Sequence, residues 1–292
     1  MNMVNLKCAI ALLALAPLTT LAGQQVDERW DLDANASVSI ENISGEIVIE
    51  GWNKKEAYLT GELGDSVKEL EIDAGKTSLR INVKNRNERN IDNTELKLMV
   101  PSGASVGAEG VSADITVSGL DNDKLSASTV SGNVEVEAES AWVSVESVSG
   151  DVTFEGGTER ISAESVSGDI NLSGISGEIS ATTVSGDMEL QAGAIESAKF
   201  ETVSGDMVVA GEVSGSGRLT AESMSGDVTI MLPASQTGLF KAQSFSGRIS
   251  TDFGSVDHAK YGPGSHLKYA SGKGGAEVRV ESFSGNISIE HN

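Results

Sequence analysis

Five aspartates stand at matched places along this chain. Asp151, Asp169, Asp187, Asp206 and Asp227 each follow a Ser-Gly pair, and each pair follows Val or Met. If the segments stack as strands, the carboxylates line up at about 4.8 Å, where neighbours repel by about 1 kcal/mol in water before screening. A divalent cation would relieve that repulsion, because Ca²⁺ takes several carboxylate and carbonyl oxygens. Three features argue the other way. Asn133, Arg248 and Asn286 occupy the same slot, and the glycine-rich nonapeptide of calcium-binding β-rolls is absent. Asp after Ser-Gly is also ordinary turn chemistry. No metal and no cofactor is expected.

A second column is made of hydroxyls. Two residues before the repeated Ser stand Thr129, Ser147, Ser165, Thr183, Thr202, Ser223, Ser244 and Ser282. A nucleophile needs a positioned base beside one particular hydroxyl, whereas a hydroxyl at every step reads as a ladder satisfied by neighbouring hydroxyls and carbonyls. Other enzyme signatures fail. There is no HExxH, no G-x-S-x-G, no Walker loop and no cysteine pair. Gly272-Lys273-Gly274-Gly275 lacks Walker spacing. A polysaccharide-degrading solenoid is the enzymatic rival, and it would need a cluster of carboxylates with a cationic base on one face. The distinctive local chemistry lies in Thr251 to Glu277, which replaces one regular repeat. This stretch carries His258, Lys260, Tyr261, His266, Lys268, Tyr269 and Lys273 around Gly262-Pro263-Gly264. It is a basic, aromatic patch on an acidic protein, and insertions of this kind are where binding residues collect. These seven residues are the candidate partner-binding set; the alternative is a longer loop packed over the solenoid.

The elements that position these residues follow from one phrase: an apolar residue, Ser-Gly, usually Asp or Asn, then another apolar residue. It starts at Val130, Val148, Val166, Val184, Val203, Met224, Phe245 and Phe283, with an imperfect copy at Val111 and an outlying ISGE at Ile43. A period near 20 residues is the mark of a solenoid or array. Six and four residues before the Ser stand apolar or small pairs such as Val143 and Val145. Three and five after it stand pairs such as Val152 and Phe154. Each coil is therefore two period-2 strands with a Ser-Gly corner between them. Two all-β folds fit, a β-solenoid of about nine 18–21-residue coils or an antiparallel β meander. The solenoid is preferred because it turns the apolar residue before the Ser inward, with the glycine relieving backbone strain at the corner. One coil buries too little to fold alone, so stability must come from its neighbours.

Residues 24–103 alternate without the regular phrase and read as a small N-terminal β module capping the solenoid, with Trp30 and Trp52 sealing its end or stacking a ligand. Pro101-Ser102-Gly103 marks the boundary, and residues 104–292 form the repeats with the insertion at about 251–277. The chain stops soon after Ile289, which would leave an open strand edge available for self-association. Residues 1–22 read as a signal peptide: Lys7, an apolar run from Cys8 to Pro17, and Thr20-Leu21-Ala22. The run is too short to span a bilayer, so the mature chain has no transmembrane segment. Cys8 leaves with it, and the exported chain has no disulfide to draw on. The formal net charge of −22 becomes −23, which repels nucleic acid and anionic membranes.

The T/S-V-S-G-D phrase, the opening IENISGEIVIEGW from Ile40 to Trp52 and the LMVPSG step from Leu98 to Gly103 together resemble a bacterial β-strand-repeat domain of unknown function that carries the label "putative adhesin", with relatives among autotransporter-adhesin-like head domains. The resemblance runs from about Val26 to the end. It implies an envelope-associated β-solenoid and offers no catalytic residues to carry over. The expectation is an exported, non-catalytic interaction module in the periplasm or at the cell surface, binding an envelope protein or glycan. The alternatives are a periplasmic envelope-stress component that binds a regulatory partner, and an enzyme acting on polysaccharide.

Overall fold

The computed structural model describes residues 24–86, 91–258 and 264–292. The signal-peptide reading at 1–22 and candidates Lys260 and Tyr261 lie outside them. The described chain is all β. Its N-terminal strands are β1 (Gln24–Asp31), β2 (Ser37–Trp52), β3 (Glu56–Leu63), β4 (Val67–Ala74), β5 (Ser78–Asn85) and β6 (Thr94–Pro101). The repeats supply β7 (Ser105–Thr129), β8 (Val134–Ser147), β9 (Val152–Glu155), β10 (Arg160–Ser165), β11 (Ile170–Ser185), β12 (Met188–Ser204), β13 (Met207–Ser225) and β14 (Val228–Leu232). After them come β15 (Gly238–Ser244), β16 (Ile249–Thr251), β17 (Val256–His258), β18 (Ser265–Ser271), β19 (Glu277–Ser284) and β20 (Ile287–His291).

Among β7 to β14 the strands pair with one another in parallel and one period apart. Ile161 lies beside Val143 on one side and Ile179 on the other, and Ile170 lies between Val152 and Met188. This is the solenoid; a meander would pair antiparallel within each repeat. Each rung has a strand before the corner and a strand after it. Their inward residues, such as Val143, Val145, Val152 and Phe154, form one continuous buried core.

The corner differs from expectation. The apolar residue before each Ser does not turn inward: Val148 is 43% exposed and Met224 58%. The hydroxyl column takes the inward place, with Ser147, Thr183 and Ser244 buried. The strand simply continues its period of 2 up to the corner, and the parity resets only at Ser-Gly. The solenoid therefore stands, but on its parallel register and not on an inward apolar column.

The glycine at the corner is there for a different reason as well. A Cβ at Gly150 would strike the carbonyl oxygen of Gly132, one at Gly168 that of Gly150, and one at Gly186 that of Gly168. Rungs approach too closely here for any side chain, so the column is set by contact between backbones. No unusual φ is needed at these three.

The two ends share a device that the linear repeat conceals. The ISGE corner in β2 is a true corner: Ser44 lies beside Ser112 and Gly45 beside Ala113. On its other side β2 pairs in parallel with β5 and β6, which together form a further rung. So β2 lies between β6 and β7, which are consecutive in sequence. At the far end, β19 lies between β13 and β15, and β20 between β14 and β16. The glycine contacts follow the same spatial order, Gly226, Gly285, Gly247. The chain thus skips one rung at each end and fills the gap with a terminal rung.

Both skips use the same turn. The Ala104 N–H donates to the Pro101 carbonyl at 2.9 Å, and the Gln236 N–H to the Pro233 carbonyl at 2.8 Å. Buried Gln236 also takes over pairing that a neighbouring strand would provide. It accepts from the Val213 N–H and donates to the Val213 carbonyl, both at 3.0 Å.

Antiparallel strands close the two ends. β4 covers β5, β3 covers β6, and β1 covers β3. Trp30 packs against the core, while Trp52 stacks with Tyr58 beneath Lys54. At the other end β18 runs antiparallel to β15 with β17 beside it. The expected open edge at the last repeat strand is corrected here: β20 is paired on both sides, and the insertion supplies the cap. Self-association through an edge at β20 loses its basis.

Close glycine packing makes a sharp prediction. Gly168→Ala is expected to lose about 1–3 kcal/mol, the usual cost of overpacking, whereas Gly215→Ala, with nothing within 4 Å of its Cβ position, stays near wild type. Urea unfolding of the two variants checks this.

Candidate interaction surface

The corner edge carries four parallel columns, and three of them are tied into the stack. Most of the buried hydroxyls donate to the corner carbonyl of the preceding rung, as Thr129 Oγ1 does to Ala113 O, Ser147 Oγ to Gly132 O and Ser244 Oγ to Gly285 O, each at 2.9 Å. Ser223 instead turns to Gly226 of its own corner, and Thr202 and Ser282 are buried without a partner. The glycines touch one another. The aspartates form a ladder in which each carboxylate accepts from the backbone N–H of the next rung's residue. Asp151 Oδ1 takes the Asp169 N–H at 2.9 Å, Asp169 Oδ1 the Asp187 N–H at 2.8 Å, and Asp187 Oδ1 the Asp206 N–H at 2.8 Å.

The ladder explains its own exceptions. An Asn has the same accepting oxygen, so Asn133 Oδ1 serves Asp151 at 3.0 Å and Asn286 Oδ1 serves Arg248 at 3.1 Å. Arg248 belongs to the last rung in space, where no further corner amide needs an acceptor. Its side chain is free to be anything. The aspartates are therefore engaged as acceptors within the fold, and among the described residues there is no group of three or more His, Cys, Asp or Glu placed to hold a metal.

The fourth column has no such task. Val111, Val130, Val148, Val166, Val184, Val203, Met224, Phe283 and Phe245 form an exposed apolar ridge in that spatial order. At its end the rings of Phe283 and Phe245 stack at 4.9 Å with an angle of 6°. Two residues before the ridge, on the same face of the strand, stand Glu146, Glu164, Glu201, Glu222 and Glu281; on the other side of the corner stand the five aspartates. An apolar ridge thus runs between two acidic rails. Continuing the alternation from Val143 and Val145 through Ser147 would have placed Val148 outside; that is the signal the sequence reading passed over.

The structure divides the seven candidates in the insertion. His266 and Lys268 are exposed on the outer face of β18, and Lys273 lies exposed in the turn after it. Tyr269 belongs with the fold: its ring lies 6.3 Å from that of Phe240, which stacks on Phe253 at 4.5 Å. His258 closes β17, with Ser265 opposite it in register. Tyr269 thus packs over the last core layer while remaining 36% exposed, and with His266, Lys268 and Lys273 it makes up what the described part of the patch offers to solvent.

Beside this cap, Glu277 ties three rungs together. It lies 2.7 Å from Lys241 Nζ and 3.5 Å from Arg218 Nε, on the rungs either side of its own. The Lys241 hydrogen bond holds its carboxyl below the ordinary value of 4.5 against the opposing effect of burial, with Arg218 and Arg279 adding to the attraction.

Among solved structures, a "putative adhesin" from Bacteroides fragilis is 14% identical, covers 92% of this chain and 97% of its own, and has a TM-score of 0.51. A "putative lipid binding protein" from Parabacteroides distasonis is 11% identical over 93% and 99%, with a TM-score of 0.53. A "putative adhesin" from the same species is 12% identical over 92% and 98%, at 0.52. These likenesses establish a shared fold. No curated protein matches the chain. The family model described as Toastrack DUF4097 matches residues 31–290.

Two predictions follow from the ladder and the clamp. Asp169→Asn keeps the acceptor and should stay within about 0.5 kcal/mol of wild type, whereas Asp169→Ala, which strands the Asp187 amide, should lose about 1 kcal/mol; millimolar Ca²⁺ should leave the calorimetric Tm unmoved. Because the carboxyl of Glu277 is lowered in the folded state, its contribution is present above the unfolded value and fades as pH falls through the folded one. The Tm deficit of Glu277→Gln should thus be visible at pH 7 and shrink as the pH falls below the ordinary value of 4.5, and a melting series across pH reads it directly.

Proposed function

Since the chain belongs to the Toastrack DUF4097 family, we propose that it is an exported, non-catalytic interaction module of the cell envelope, adhesin-like in acting through a surface and not through a reaction. One observation carries this reading. The repeated hydroxyls, glycines and carboxylates, which are the groups a catalytic site would recruit, mostly serve contacts between rungs, while the apolar ridge beside them stays exposed along its length, with a ring stack between rungs only at Phe283 and Phe245. Contiguous exposed apolar surface is uncommon on a soluble protein and marks binding sites. The names of the similar structures point to adhesion or lipid binding in those proteins, and none is named for turnover. Export is supported by the signal-like pattern of residues 1–22. No helix among the described residues is long and apolar enough to cross a membrane.

The partner is an envelope protein or glycan, met in the periplasm or at the cell surface. Crosslinking the exported chain in its own cells, followed by capture and identification, tests the proposal. The expected result is a discrete set of envelope components. Recovery of the free chain alone, or turnover of any polysaccharide by the purified protein, would overturn it. Capture of a single regulatory protein would favour the envelope-stress alternative.

A further inference from the structure

We infer that the ridge with its two acidic rails is a docking track for a basic amphipathic helix, one whose narrow apolar stripe is bordered on both sides by lysine or arginine. The inference rests on reading the chain as an interaction module. It starts from the arrangement of charge. Val148, Val166, Val184, Val203 and Met224 are flanked on one side by Asp151, Asp169, Asp187, Asp206 and Asp227, and on the other by Glu146, Glu164, Glu201 and Glu222, with Thr182 in that place beside Val184 and Glu281 beside Phe283 on the next rung. Lys199 and Arg279 engage Glu201 and Glu281 on their own strands, and Lys199 also attracts Glu222, whereas among the described residues Glu146 and Glu164 have no ion-pair partner. Like charges held one rung apart repel, and a cationic partner relieves them while covering the apolar surface between.

The same charge argues against other occupants. A second copy would press acidic rails against acidic rails, and an anionic lipid surface would be repelled. Spacing narrows the choice further. Apolar side chains recur here once per rung, about 4.8 Å apart. A helix presents its stripe once per 5.4 Å turn, whereas an extended strand presents same-face residues about 6.6–6.8 Å apart. The helix fits better and matches the flanking charge on both sides. From Val111 to Phe245 the ridge runs about 38 Å, the length of a helix of about 26 residues.

The test uses the full exported chain and a synthetic 26-residue helical peptide with one leucine stripe bordered by lysines, followed by fluorescence anisotropy. Binding is expected, weakened at least tenfold by raising salt to 0.5 M. Two variants should each weaken it at least tenfold. One replaces Val148, Val166 and Val184 by Ser. The other replaces Asp151, Asp169 and Asp187 by Asn, which removes charge yet keeps the amide acceptors of the ladder and so the fold. The inference is overturned if the wild-type chain does not bind, if a glutamate-bordered peptide binds equally, or if either folded variant binds as well as wild type. Saturable binding to phosphatidylcholine vesicles, or dimerisation by light scattering, that the Val→Ser variant abolishes would assign the ridge to lipid or to a second copy and overturn it too. Envelope capture that survives both variants would leave the interaction-module reading intact and remove the ridge from it.

Discussion

The whole molecule depends on how closely one corner glycine can lie against the next. A parallel ladder sets neighbouring strands about 4.8 Å apart, and at the corner the carbonyl of one glycine occupies the space that a Cβ of the next would need. Everything else on that edge takes its place from this contact. The hydroxyl two residues before Ser lies where it can donate to that same carbonyl. The carboxylate after the glycine reaches the amide one rung on. The Ser-Gly-Asp phrase is therefore a set of fittings for stacking, and its repetition from Val130 onward reflects a backbone that makes the same close approach at those rungs; at the corner beside Gly45, Ala113 takes the glycine's place.

Much of this was legible in the sequence, for a simple reason. Within a strand the period of 2 assigns faces without ambiguity, so Val143, Val145, Val152 and Phe154 were placed in the core correctly. Solenoid architecture followed from the period. The corner was harder because alternation is interrupted there, and an apolar residue beside the interruption, such as Val166, invites placement inside. Its exposure was still deducible by carrying the count through Ser165. The order of rungs in space is another matter. Nothing in the local pattern of β19 and β20 says that β19 lies between β13 and β15 and β20 between β14 and β16, because every rung offers the same edges to every other. The traces left in sequence are small: Pro101 and Pro233 after apolar strand ends, and an Arg at 248 where Asp is the custom.

The candidate patch in the insertion shows the same divide. Its basic and aromatic composition was plain, but composition does not say which side of β18 a residue takes. Pairing against β15 sends Leu267 inward, directs Tyr269 toward the last aromatic layer, and leaves His266 and Lys268 outside. The Asp column, read from sequence as either turn chemistry or a cation site, is a chain of amide acceptors. Chemistry that looked like function has become construction, and the uniform Val column that looked like construction has become surface.

Threading each terminal rung between two others has a bearing on how such proteins change size over evolutionary time. No coil can be appended directly onto β2 or β20, since both are already enclosed between parallel strands, and antiparallel strands cover β5, β6 and β15 beyond them. Growth or shrinkage must happen by duplication or loss in the middle, among units whose edges are interchangeable. Interior copy number can then drift while both closures are inherited unaltered, so that the stretch of outward-facing apolar side chains lengthens or shortens in steps of a single coil.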